Sequence, residues 1–490
     1  MSDDSRKRQE KMEKDYSKYF TPSLKDARKR LSKETDIVRY ELKESQFGIG
    51  KHLKYMIKTY GCQANLADTE RISGILETMG YSSTEKEEEA DLLLLNTCAI
   101  RENAENRVFG ELGRLKPLKK TNPNMLLGIC GCMPQEEKVT ARVREKFPYV
   151  DLVFGTHNIA NLGTYVEQAI HSLERVIEVY SKEGEIIENI PIKRDHFKRA
   201  WVNIMYGCDE FCTYCIVPYT RGKERSRLPE HILGEVEELI RDGYVEVTLL
   251  GQNVNAYGND FTDRSYRFSD LLLDLHRLPI ERIRFTTSHP RDLDDATILA
   301  LAHGGNLMPY LHLPVQSGSN AVLKRMNRKY TVEDYLEKIK KLRTLVPGIS
   351  ITTDIIVGFP GESEEDYQAT LDLVQRADFE GAYTFIFSPR DGTPAAKYED
   401  ITSAATKKER LLELNKLVNE GFLRGNKRFE GKKVRVLVEG VSRQRESMLT
   451  GYTEHNKIVN FKGDESMIGR VVEVNITKAF TWHLSGEIQK

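Results

Sequence analysis

Trp201-Val202-Asn203-Ile204-Met205-Tyr206-Gly207-Cys208-Asp209-Glu210-Phe211-Cys212-Thr213-Tyr214-Cys215 is the stretch whose reading decides how most of this chain folds. Its apolar, β-branched and aromatic first third reads as a strand, and the strand runs into a loop with three cysteines at CxxxCxxC spacing. Strand and helix patterns alternate beyond it. Further candidate strands are Glu246–Leu250, Ile283–Thr287, Tyr310–Val315, Ile351–Val357 and Ala382–Phe387. Helical patterns separate them at Pro229–Arg241, Ser269–Leu278, Asp294–Ala302, Thr331–Leu345 and Glu364–Arg376. Six βα units do not close an eight-stranded barrel, so residues 195–425 are expected to form a partial, open, six-stranded (β/α) barrel.

The same alternation appears upstream. Tyr55–Tyr60, Asp91–Thr97, Met125–Cys130 and Asp151–Phe154 read as strands, with helical patterns at Asp68–Met79 and Glu102–Leu118. Residues 52–170 therefore predict a small parallel α/β domain. Residues 1–51 are densely charged with few apolar positions and read as a charged flexible extension. Downstream, a charged helix over Ala404–Lys427 precedes short strands at Lys433–Val438, Leu449–Tyr452, Ile458–Phe461 and Arg470–Ile476. Residues 428–490 thus predict a small antiparallel β-barrel, mildly basic with 11 Lys and Arg against 8 Asp and Glu. The whole is an α/β multidomain chain.

At 490 residues the chain is long enough for several domains. Its net charge of −1, from 73 basic and 74 acidic residues, excludes a polybasic protein. No apolar run approaches the roughly 20 residues of a membrane span, and no apolar signal core opens the chain. A cytoplasmic, reducing setting is expected, where seven cysteines act as metal ligands or catalytic groups sooner than as disulfides.

Cys208, Cys212 and Cys215 can bring three thiolates to three irons of one [4Fe–4S] cluster, leaving the fourth iron for another ligand. The alternatives are a zinc site whose fourth ligand lies elsewhere, and structural thiols. Cys62, Cys98 and Cys132 lie 36 and 34 residues apart, each just past a strand of one small sheet, so they can meet at one edge. Spacing alone leaves a metal site and ordinary core cysteines as two readings. Cys130 reads as structural, at the end of its strand, though it could compete with Cys132.

CxxxCxxC with an aromatic residue before the last cysteine, on a βα barrel, resembles the radical S-adenosylmethionine (SAM) superfamily. Both cysteine sets and the β-rich tail together resemble its methylthiotransferase family, from about residue 52 to the C-terminus. The segments Asn203–Cys208, Tyr219–Arg227 and Phe387–Ala395 look most like that family's bacterial tRNA branch. The resemblance implies an auxiliary [4Fe–4S] cluster on Cys62, Cys98 and Cys132, a SAM-binding [4Fe–4S] cluster on Cys208, Cys212 and Cys215, and a C-terminal TRAM domain that binds RNA. It implies transfer of a methylthio group to carbon 2 of an isopentenylated adenosine beside the tRNA anticodon, with two SAM molecules per turnover. The implied partners are the anticodon stem-loop, a reducing electron donor and a sulfur source, and a monomer is expected. Two rivals keep the chemistry and change the substrate, to threonylcarbamoyl-adenosine of tRNA or an aspartate of a ribosomal protein. A third makes the chain an RNA-binding protein with structural or redox-sensing clusters.

Four residues are expected at SAM: Tyr214 in the cysteine loop, Gln252 after the second barrel strand, and Ile356 and Gly358 after the fifth. The last two sit in a segment similar to the superfamily's GxIxGxxE, from which this chain departs at Asp354 and in the place of Glu362. Arg221 and Arg225, with Lys223 and Arg227, are expected to meet RNA phosphates or the SAM carboxylate. Lys432, Lys433 and Arg435, with Arg443 and Arg445, are expected to meet RNA in the tail. Phe480 and Trp482 are either stacking groups or barrel core, and His289 a helix cap or loop residue.

Overall fold

Leu92 to Leu95 lie fully buried in one strand. Leu92 and Leu94 belong to one apolar cluster, and Leu93 and Leu95 to another on the opposite face. A strand covered on both faces shows no polar alternation, as in parallel sheets sandwiched by helices. The computed structural model describes residues 19–29, 35–99, 102–172, 174–194, 198–263, 265–442 and 448–488. They form two compact units that divide between Ile192 and Lys193, with residues 35–38 grouped with the second.

The first unit is built on β1 (Lys54–Tyr60), β2 (Ser82–Ser83), β3 (Leu92–Thr97), β4 (Leu126–Gly131), β5 (Leu152–Phe154) and β6 (Val176–Glu178). The order is β2-β1-β3-β4-β5-β6 and every ladder is parallel. Chain direction across the sheet reverses between β1 and β3. That makes a crevice at their carboxyl ends, where open α/β sheets bind ligands. Helix α1 (Gln63–Thr78) starts five residues earlier than its apolar periodicity indicates, because its first turn is anchored by a polar contact, buried Asn65 to Asn96, and not by apolar periodicity.

The expected flexible extension is corrected over its described residues. The Phe20 amide donates to the Ile177 carbonyl (3.0 Å), and the Phe20 carbonyl accepts from Val179 (2.8 Å), so this segment extends the sheet beside β6. Tyr40, Leu42 and Ile49 pack on the core beneath α1, and buried Gln46 donates to Thr164 and Glu167. Backbone pairing and scattered apolar contacts leave no periodic trace in a charged sequence. Residues 1–18 and 30–34 lie outside the described residues.

In the second unit, β7 (Arg199–Asn203), β8 (Glu246–Leu250), β9 (Arg282–Phe285), β10 (Tyr310–His312), β11 (Ser350–Val357) and β12 (Ala382–Ile386) form two parallel three-stranded sheets, β9-β8-β7 and β10-β11-β12. A parallel bridge between Ile283 and Leu307 links them into a half-barrel. Helices cover its outside through one large apolar core. Along β11 the odd-numbered Ile351, Thr353, Ile355 and Val357 are buried, while Thr352, Asp354 and Ile356 face the open side and stay half-exposed.

The tail is a closed barrel of β13 (Lys433–Val441), β14 (Leu449–Thr453), β15 (Ile458–Lys462), β16 (Val471–Ala479) and β17 (Leu484–Ile488), in the order β13-β14-β15-β17-β16. The expectation of an antiparallel barrel is corrected at one ladder: β15 and β17 run parallel. A ring of five strands has an odd number of neighbours to alternate, so at least one pair must be parallel.

The barrel docks at the amino ends of the half-barrel strands. Glu246, at the start of β8, is buried between Arg282 and Arg284 of β9, at 3.4 and 2.9 Å. The two guanidinium groups also donate to the carbonyls of Tyr452, Thr453 and Glu454 at 2.6–3.1 Å. Lys457 and Arg428 both pair with Glu380. Burial alone would raise the Glu246 carboxyl, but the flanking arginines outweigh it and hold it below its ordinary value.

Removing one partner from such a buried group costs about 3–5 kcal/mol. Glu246→Gln is therefore expected to lose stability by about that much at pH 7, measured by urea unfolding. The sign follows from a lowered carboxyl pKa: the contribution is full above about pH 4.3 and lost as pH falls through the folded-state value. The gap between wild type and variant must shrink with acidification.

Two cysteine-lined candidate cluster sites

Tyr60, Thr97 and Gly131 are the last residues of three neighbouring strands and lie side by side in register. Each is followed at once, or after one residue, by a cysteine. The Cys98 amide donates to the Tyr60 carbonyl (3.0 Å), and the Cys132 amide to the Thr97 carbonyl (2.8 Å). Gly131 permits the second bond. Its φ is +94°, and a Cβ there would stand 2.4 Å from the Thr97 oxygen. Cys62 caps α1, whose positive end favours negative charge at this edge.

Beneath the three cysteines lies a buried amide network. Asn65 accepts from the Cys62 amide (3.3 Å) and donates to Asn96 and Thr97. Asn96 donates to the Asn65 carbonyl and to Thr69, and Thr97 donates to the Cys130 carbonyl. Cys130 is fully buried one residue inside the strand, beside the apolar cluster under α1. Burial, with Asp68 and Cys132 nearby, holds its thiol far above the ordinary value. It is placed as core, one alternation away from Cys132.

The second set follows β7. Gly207 turns the chain with φ +77°, where a Cβ would strike the Lys223 carbonyl at 1.9 Å. The Cys208 amide donates to Gly222 (3.1 Å), and the Asp209 amide to the Glu224 carboxylate (3.1 Å). On the other flank, Thr213 bonds the Met326 and Arg325 carbonyls at 3.0 and 2.9 Å. Asn327 donates to the carbonyls of Phe211 and Glu210 at 3.0 and 3.3 Å. Phe211 sits at φ +47°, a strained value for a bulky residue, and Asn327 holds it there.

Burial pushes the Cys208 thiol well up, and the sulfurs of Cys215 and Cys212 push it further. Cys215 is pushed up to about 12 by burial and by Cys212. Three neighbouring sulfurs in one loop, with no disulfide among the seven cysteines, suit a cationic group that would take all three as thiolates. Cys62, Cys98 and Cys132 follow three strand ends that lie in register at one sheet edge.

Comparison with known proteins agrees part by part. A radical SAM superfamily model matches residues 202–374, the uncharacterized family UPF0004 matches 54–155, and a TRAM domain matches 427–488. The tRNA-2-methylthio-N(6)-dimethylallyladenosine synthase of Oceanobacillus iheyensis is 56% identical over 478 residues, covering 96% of this chain and 92% of that protein. The synthase of the same name from Bacillus subtilis is 56% identical over 485 residues, covering 98% and 95%. The chain belongs to this methylthiotransferase family. Among solved structures, the radical SAM methyltransferase TsrM of Kitasatospora setae superposes with a TM-score of 0.50 at 14% identity, covering 68% of this chain and 72% of that one. That likeness concerns the fold.

The family's cysteine loop is held by one of the four residues expected at SAM. Gln252 accepts from the Gly207 amide, so its carbonyl is committed to the loop turn. Tyr214 and Ile356 pack with Phe359 and Phe387 in a small apolar cluster beside the loop. The Gly358 amide donates to Glu362 (2.7 Å), which Arg410 also binds (2.7 Å), so Glu362 braces the turn after β11. Arg221, Arg225 and Arg227 are a correction: all three are buried. Arg225 lies over the Tyr206 ring and donates to the Arg221 carbonyl, and Arg227 pairs with Glu235. Their charge pattern reads as a surface run, but packing buries all three side chains.

In the tail, Lys432 and Lys433 are exposed, whereas Arg435 pairs with Glu281 and Glu454. Arg443 and Arg445 lie outside the described residues. Phe480 and Trp482 are exposed rather than core, with Lys478 over the Phe480 ring and Trp482 against Phe422. His289 lies in the loop after β9, where one of its two expected readings put it, but it is not on the surface. It is buried against Tyr330, with Glu210 3.6 Å from Nε2 and the Arg291 amide on Nδ1. Burial, then the cations of Arg328 and Arg291, keep it neutral. Sequence reading also passed over Asn327 and Arg328, whose roles depend on a contact between segments more than a hundred residues apart.

The two environments differ in reactivity. With the metal-free chain held reduced, iodoacetamide followed by mass spectrometry is expected to label half-exposed Cys62 first and Cys130 last, at least tenfold more slowly.

Proposed function

We propose that this chain is a radical SAM methylthiotransferase that places a methylthio group on carbon 2 of isopentenyl-adenosine beside the anticodon of tRNA. The single observation that carries this reading is two separate three-cysteine sets, each at the carboxyl end of a parallel sheet, in a chain 56% identical to the synthases over nearly its whole length. Cys62, Cys98 and Cys132 would hold the auxiliary [4Fe–4S] cluster, and Cys208, Cys212 and Cys215 the one that binds SAM. When bound, the clusters supply an electron for SAM cleavage at one site and an open iron for the sulfur to be transferred at the other.

The chain's own residues hold and shield. Asn65, Asn96, Asn327 and Gln252 fix the backbone on which the ligands ride. The open side of the half-barrel carries a polar and aromatic wall: His312 lies 3.4 Å from Asp354, and its ring is 5.8 Å from Tyr383. Tyr383 and Phe385 are exposed there, able to stack an unpaired base. A target in a single-stranded loop is required, because stacking in a duplex would hide carbon 2. Lys432 and Lys433, with Phe480 and Trp482, are the barrel's accessible RNA-binding groups. A low-potential electron donor, a sulfur source, a cytoplasmic setting and a monomeric state complete the proposal. Among the described residues, no helix is long and apolar enough to cross a membrane.

Mass spectrometry of nucleosides from total tRNA, with and without the gene for this chain, tests the reading. Loss of methylthio-isopentenyladenosine with accumulation of isopentenyladenosine is expected. Unchanged tRNA nucleosides would overturn the substrate and move the ribosomal-protein aspartate to the front. On the barrel, Lys432→Glu with Lys433→Glu is expected to weaken tRNA binding across sequences. It should also flatten the salt dependence of log K by roughly 1–2, read by filter binding at several salt concentrations.

A further inference from the structure

Arg328 is a buried cation with no anion beside it. Each of its three nitrogens donates: Nε to the Tyr330 hydroxyl at 2.8 Å, Nη2 to the Pro314 carbonyl at 2.7 Å, and Nη1 to the Cys212 sulfur at 3.4 Å. The groups that face it are the hydroxyls of Tyr330 and Tyr214 and the sulfur of Cys212. Among the described residues, no carboxylate lies within ion-pairing distance of it. Four other buried guanidinium groups of the half-barrel, Arg227, Arg282, Arg284 and Arg410, each have a glutamate. A buried charge left without its opposite is costly, so the missing charge belongs to whatever occupies the cysteine site.

A [4Fe–4S] core held by three thiolates carries a net charge of about −1 when oxidised and about −2 when reduced. We propose that Arg328 is the built-in counter-charge of the SAM-binding cluster, donating an N–H···S hydrogen bond to the Cys212 ligand and raising the cluster's reduction potential. The inference rests on the ligand assignment above. The physics is direct. Reduction adds one electron, taken from a low-potential one-electron reductant, and breaks no bond. A fixed cation and a hydrogen bond to a ligand sulfur both stabilise the added negative charge. Tyr330 helps hold the fork in place, because it accepts from Arg328 and donates onward to the Val315 carbonyl at 2.8 Å. Arg328 thus acts through Cys212 as a positioning and tuning residue, not a catalytic one.

The test uses the full-length chain with Cys62, Cys98 and Cys132 all changed to Ala, so that one cluster remains. After anaerobic reconstitution, iron and sulfide are counted and the cluster's midpoint potential is measured by EPR-monitored redox titration. Arg328→Met is expected to lower the reduced-to-oxidised ratio at a fixed poise at least tenfold, a shift of about 59 mV or more for one electron. Arg328→Lys, which keeps the charge, should stay within threefold. Arg328→Met with a full cluster and the parent potential overturns the inference. If Arg328→Met loads no cluster, Arg328→Lys decides. Normal loading in the lysine variant upholds the counter-charge, and equal loss in both makes Arg328 a packing residue. A parent chain that loads no cluster with Arg328 intact would instead overturn the ligand assignment, and this inference with it.

Discussion

Parallel register gathers chemistry at one edge. When neighbouring strands run the same way, the residues just beyond their carboxyl ends become neighbours in space, however far apart they are in sequence. Cys62, Cys98 and Cys132 depend on this, because Tyr60, Thr97 and Gly131 stand in register beneath them. Shifting one strand by a residue would turn its cysteine to the opposite face. The buried Asn65–Asn96 pair, the Gly131 turn and the leucine strand between two apolar layers all serve that alignment.

The half-barrel uses the constraint differently. Its three cysteines come from one loop, so register does not assemble them, and the loop must be held from outside. Gly222 and Glu224 bind one flank, and Arg325, Met326 and Asn327 the other. The strained Phe211 backbone shows that the loop is forced into shape rather than relaxed into it. At the opposite ends of the same strands, Glu246, Arg282, Arg284 and Glu380 bind the small barrel. One end of the half-barrel therefore carries the cysteine loop, and the other fastens the small barrel.

Much of this was legible in the sequence, for reasons that can be named. The helices Pro229–Arg241 and Ala404–Lys427 appear at their predicted residues, because proline at the start of one and strong periodicity in both mark them. Six barrel strands and both cysteine sets were visible because apolar runs and CxxxCxxC spacing are local signals. What stayed hidden is what local signals do not carry. The Phe20 strand-edge pairing is backbone hydrogen bonding. The parallel closure of the tail barrel follows from counting strands, and the fifth was missed. The arginines at 221, 225 and 227 look like a surface run, and only packing shows them buried. Arg328 lies 116 positions from the sulfur it binds, a separation no spacing rule spans.

The central claim is that two independent cysteine triads each hold a [4Fe–4S] cluster. Mössbauer spectroscopy of the chain reconstituted with iron-57 tests it most directly. About eight irons per chain are predicted, falling by half when Cys62, Cys98 and Cys132 are changed to Ala, and by the other half when Cys208, Cys212 and Cys215 are. A chain that keeps all its iron after either triple change would contradict the account, because that triad would then be only part of the protein's core.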